Sequence, residues 1–79
     1  MYGQIYHKEG EKAMYLNGQT IYEDGHFKDH IEYRVPVQIY CGKQHSDIGF
    51  IENFTAKFVR INNILYNRSL FTFISRPGY

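Results

Sequence analysis

The chain has 79 residues, nine basic and eight acidic, with a formal net charge of +1; that length holds one small domain, 1–79, and that balance excludes a strongly basic nucleic-acid module or an acidic tail. The single cysteine, Cys41, excludes an internal disulfide framework and a paired-cysteine zinc finger. No apolar run approaches the ~18 residues of a membrane-spanning helix, and the opening Met1-Tyr2-Gly3-Gln4 lacks a charged-then-apolar secretion signal, so a cytoplasmic chain with no membrane partner is expected.

Composition leans to sheet: eight Tyr and six Phe make the chain 18% aromatic. Nine Ile and three Val add β-branched bulk, while only two Ala and three Leu are present. Such side chains fit a pleated, half-buried surface better than a helix. In chain order, residues 12–23 read as a hairpin around Asn17-Gly18, with Tyr15 opposite Thr20, Met14 opposite Ile21 and Lys12 opposite Glu23. A second turn at Asp24-Gly25 sets Phe27 opposite Tyr22 and completes a three-stranded meander. Over 31–41, Ile31, Tyr33, Val35, Val37, Ile39 and Cys41 alternate with Glu32, Arg34, Pro36, Gln38 and Tyr40, the period of a strand with one buried face. Pro36 makes that strand an edge, or bulged, at that point. Residues 42–46 read as a turn, 47–54 as a strand bent at Gly49, 57–61 and 64–67 as a hairpin on Asn62-Asn63, and 70–74 as the last strand. The expected fold is all-β: a small antiparallel barrel or strongly curled sheet of about six to seven short strands, with little or no helix.

From Val37 to Ile74 the pattern Val37-x-Ile39, Gly42, Gly49-x-Ile51-x-x-Phe54, Val59-x-Ile61 and Tyr66-x-Arg68 resembles the Sm/LSm and related SH3-like small barrels. In the Sm family a glycine lets the strand bend and a phenylalanine five residues later caps the core; Gly49 and Phe54 keep that spacing. The uridine-reading positions of the family hold Thr55, Val59 and Arg68-Ser69 here, and a meander stands where the family has an N-terminal helix. The resemblance therefore implies an architecture and no binding residues.

Candidate chemistry is sparse. His26 and His30 read as strand residues roughly 13 Å apart, too far to share one ion. Cys41, His45 and Asp47 contain the residue types of a thiol nucleophile with base and orienter, but crowd into one turn, with Cys41 on the apolar face of its strand. No glycine loop cradles a phosphate. No enzyme activity, cofactor or metal is expected. Charge is split: residues from Tyr40 onward carry +3 and those before it −2. In the 57–68 hairpin, Lys57, Arg60, Tyr66 and Arg68 form a possible basic-aromatic face for a single nucleic-acid strand. The tail Arg76-Pro77-Gly78-Tyr79 is a docking tag or a frayed end. The favoured reading is a non-catalytic binding or assembly module that associates with itself or another protein, with weak single-stranded nucleic-acid binding as the alternative.

Overall fold

The computed structural model describes residues 15–79, in which seven strands and one helix follow one another. They are β1 (Thr20–Ile21), α1 (Asp24–Glu32), β2 (Val37–Cys41), β3 (Gln44–Gly49), β4 (Ile51–Phe54), β5 (Phe58–Ile61), β6 (Ile64–Asn67) and β7 (Thr72–Ser75). All strand pairs are antiparallel and make two sheets, ordered β1-β7-β2-β3 and β4-β5-β6. The fold is mostly strand, as composition implied, and its ladders make two sheets without closing into a barrel.

Helix α1 corrects the expected meander. Residues 24–32 put Phe27, His30 and Ile31 at i, i+3 and i+4, one face of a helix. Phe27 and His30 are fully buried, and Ile31 packs at the margin of the core. The His26 ring sits at the third helical position and accepts from the backbone N–H of Glu23 and of Tyr22, at 3.1 and 3.0 Å, satisfying donors at the helix entry. At the other end Val35 N–H donates to His30 O (3.0 Å) and Arg34 N–H reaches toward Ile31 O (3.4 Å), a Schellman arrangement with Arg34 in the left-handed seat at φ 55°. The regular alternation over 31–41 is thus split: its first two residues end the helix, the next two cap it, and the strand begins only after Pro36. The Asn17-Gly18 turn is present, with Gln19 N–H donating to Leu16 O, but Thr20–Ile21 pairs with β7, Thr20 opposite Ile74 and Ile21 opposite Phe73. The pairings expected for Lys12 and Met14 lie outside the described residues.

The turn expected over 42–46 is only two residues long. Gly42 takes φ 62°, Cys41 pairs with Gln44, and the polar run Gln44-His45-Ser46 is an exposed strand. This hairpin outruns the core, so Cys41 is exposed and not on a buried face. The Asn62-Asn63 hairpin is as expected: both residues have positive φ (52° and 67°), the type I′ geometry, with Ile61 opposite Ile64. The last strand is Thr72–Ser75, two residues later at its start than expected.

The core joins both sheets and the helix through Ile21, Phe27, Val37, Ile39, Ile51, Val59, Ile61, Tyr66 and Phe73. Phe27 meets Phe54 and Phe73 with ring centroids 5.8 and 5.6 Å apart. The chain crosses from one sheet to the other at Phe50, just after Gly49. There the Asn62 amide donates to Asp47 Oδ2 (3.0 Å) and to the Ile48 carbonyl (3.1 Å), tying the β5–β6 turn to β3. A Cβ on Gly49 would stand 2.8 Å from the Asn62 amide and 3.0 Å from Ile61 Cγ2. Gly49→Ala is therefore expected to lower stability by about 1–3 kcal/mol through overpacking. Gly25→Ala, in a helix with nothing within 4 Å of the added atom, is expected to raise it by about 0.4–1 kcal/mol. Urea unfolding of both variants checks the opposite signs.

Candidate functional site

The four residues of the basic-aromatic face do not share one surface. Val59 pairs with Tyr66 and Arg60 with Leu65; adjacent pairs in a ladder point to opposite faces. Tyr66 turns inward, its ring edge-on to Phe71 and its hydroxyl donating to Asp47 Oδ2 at 3.2 Å. Arg60 turns outward and is occupied by Glu52 (3.1 Å) and the Asn63 side chain. Arg68 donates to Asp24 Oδ1 (2.8 Å), Thr55 O (2.6 Å) and Tyr22 O (3.1 Å), and its guanidinium lies 4.7 Å from the Phe27 ring centre. With its side chain only 16% exposed, Arg68 fastens the helix start, the end of β1 and the β4–β5 turn together. Lys57 is exposed, beside Arg68, and the two line one open depression with Ala56, Asn67 and Ser69.

The Cys41, His45 and Asp47 group stands on one hairpin, β2–β3. Cys41 ends β2, the His45 ring packs against Tyr40 at 5.7 Å, and the Asp47 carboxylate accepts from Asn62, Tyr66 and the Ile48 amide. The Asn62 bond, then that of Ile48, holds Asp47 below the usual carboxylate range; burial, then Asp47, pushes the Tyr66 phenol up. His26 and His30 lie one helical turn apart and not, as the strand reading had it, far along an extended segment. Their nitrogens are engaged, His26 Nδ1 at the helix entry and both of His30. Among the described residues no three His, Cys, Asp or Glu side chains gather as a metal site. At the tail, Arg76 is anchored to Pro36 O and the Gln38 side chain, and Tyr79 is exposed.

One pairing of catalytic residue types escaped the sequence reading. His30 Nε2 stands 2.7 Å from Ser75 Oγ, and His30 Nδ1 stands 2.7 Å from His26 O. A carbonyl only accepts, so Nδ1 carries the proton and Nε2 accepts from the Ser75 hydroxyl. Both residues have no exposed surface, and the Tyr15 ring closes over the imidazole at 4.4 Å. Among the described residues the ring is oriented by the His26 carbonyl and the Ser75 hydroxyl. The pair joins α1 to β7 through the core.

Burial pushes the His30 pKa below its ordinary 6.5. Below that value the unfolded chain binds a proton that the native chain refuses. This contribution to stability is complete above about pH 6.5 and is lost as pH falls toward the lower native pKa. Urea midpoints taken from about pH 7.5 down to 5.5 are expected to fall. Ser75→Ala leaves the Nε2 acceptor unsatisfied and is expected to cost about 1–3 kcal/mol at neutral pH.

The surface feature left over is the outer edge of β6. Ile64 is 49% and Leu65 59% exposed, and among the described residues β6 pairs only with β5. Adjacent aliphatics on a four-residue strand were the available signal: neighbours on a strand cannot both face one core. Comparison of the chain with protein-family models, curated proteins and solved structures found no match.

Proposed function

We propose that the chain is a non-catalytic assembly module that associates with itself or another protein through an exposed strand edge, built on a partly open small barrel of the Sm/LSm and SH3-like type. The observation that carries the functional reading is β6, whose outer edge is unpaired among the described residues and which bears two half-exposed aliphatics. Native proteins commonly shield such edges with charge, proline or a covering element. Supporting the barrel reading is the succession of a helix and six further antiparallel strands, with Phe54 packed on Phe27. The exposed free thiol of Cys41 fits a reducing, cytoplasmic setting.

A second reading, weak binding of single-stranded nucleic acid, rests on Lys57 and Arg68 lining one depression. Arg60 and Tyr66 add little to it, being ion-paired and buried. Light scattering of the purified chain at ~100 μM is expected to give a mass above the 9.4 kDa of one copy. A single-copy mass with no partner recovered on pull-down would defeat the assembly reading. A labelled single-stranded 20-mer (about that length suffices for contact) is expected to migrate unchanged at low salt. Retention abolished by Lys57→Ala would favour the second reading.

A further inference from the structure

Strand edges in this fold are not equivalent. The outer edge of β7 is closed by β1 and the residues before it: Gly18 N–H donates to Ser75 O and Ser75 N–H to Gln19 O, both at 2.8 Å. Ile21 of β1 is buried, so opening that edge would pull a side chain out of the core. On β3, Gln44, His45 and Ser46 are exposed and polar, a bulge interrupts its ladder at Ile39/Tyr40, and the Asn62 amide occupies the Ile48 carbonyl. Strand β4 lies against α1. Strand β1, the other end of the four-stranded sheet, is only two residues long. Among the described residues that leaves β6.

Resting on the assembly reading, we infer that the partner is a second copy of this chain, joined through β6 in an antiparallel two-fold pair centred on Leu65. The parity of the hairpin selects the register. Across a type I′ turn Ile61 and Ile64 form a hydrogen-bonded pair, and so in turn do Val59 and Tyr66. Arg68 N–H continues that parity by donating to Lys57 O at 2.8 Å. The amide groups of Leu65 and Asn67 therefore point away from β5. The Asn67 carbonyl already accepts from the N–H groups of Leu70 and Phe71, both at 3.1 Å. Among the described residues Leu65 keeps one outward donor and one outward acceptor, the set a two-fold pair exchanges.

With Leu65 opposite Leu65 of the other copy, Ile64 falls opposite Tyr66 and Asn63 opposite Asn67. Both exposed aliphatics are then covered. The Ile64-Leu65-Tyr66-Asn67 strand carries no charge, so like charges do not oppose one another across the axis. Shifting the register to pair Leu65 with Asn67 would call on the carbonyl already engaged twice. The two-fold pair uses β6 of both copies, and β7 is closed by β1, so association stops at two.

Sedimentation velocity on the full chain, up to ~500 μM because so short an edge implies a weak contact, is expected to show reversible monomer and dimer with no larger species. Leu65→Pro removes an outward donor but no internal ladder bond, and is expected to weaken dimerisation at least ~10-fold while leaving the circular dichroism spectrum unchanged. For register, Leu65→Cys in a Cys41→Ser background is expected to oxidise to a linked dimer. A hydrogen-bonded antiparallel pair holds Cα atoms ~5.5 Å apart, within disulfide reach. Arg60→Cys, one strand inward on each copy and thus ~14 Å from its mate, is expected to stay reduced. Multimers that survive Leu65→Pro, or that exceed two copies, or that link at residue 60 and not 65, would overturn this pairing and leave the assembly reading standing. A chain monomeric at every concentration overturns this pairing, and overturns the assembly reading as well if pull-down recovers no other partner.

Discussion

The fold depends on one close approach, that of the Asn62 side chain to Gly49. The sheets of three and four strands are joined at Phe50, between β3 and β4, and by residues 68–71, between β6 and β7. The amide of Asn62 bridges the Phe50 joint by donating both to the Asp47 carboxylate and to the Ile48 carbonyl. It reaches them only because Asn62 and Asn63 accept left-handed backbone and because residue 49 has no Cβ. Asp47 then also receives the Tyr66 hydroxyl, so one carboxylate positions a turn, a strand and a core ring. Glu52 braces the same turn from the other side, accepting from the Asn63 amide and pairing with Arg60.

Other polar groups in the molecule also serve as fasteners. Arg68 ends three chain segments with hydrogen bonds and rests on Phe27. His30 and Ser75 satisfy each other between helix and sheet, and no buried side-chain nitrogen or oxygen among the described residues lacks a partner. Buried polar atoms left unpaired are costly, so complete pairing of this kind favours a single arrangement of helix and sheets. The same completeness withdraws these residues from chemistry: the histidine and serine are sealed, the arginine is saturated, and the aspartate is held by three donors.

A small domain with two sheets has several edges and little material to cover them. Here β1 covers β7 at the expense of only two strand residues, a polar run and a bulge blunt β3, and the helix packs against β4. Among the described residues strand β6 receives no such treatment. The proposed two-fold pairing follows from that imbalance together with the parity of its hairpin, which turns the Leu65 amide outward.

What the amino-acid order determined by itself was local. Aromatic and β-branched bulk dictated sheet, and Asn62-Asn63 dictated a tight hairpin, because few other pairs accept two left-handed residues in succession; the strand expected over 47–54 with a bend at Gly49 is instead two strands in different sheets, parted at Phe50. The helix was within reach, since Phe27, His30 and Ile31 share its face, but a histidine reads as polar until Ser75, 45 positions away, is known to meet it. The alternation over 31–41 misled because period two runs by chance through a helix end and its cap, and only packing of Phe27 against Phe54 and Phe73 places the boundary. For the candidate site, pairing of Val59 with Tyr66 and of Arg60 with Leu65 was implied by the turn, and with it the separation of Tyr66 from Arg60. Which edge stays open could not be read from any strand alone. That depends on which strands lie next to one another, and adjacency between distant segments is decided by tertiary packing.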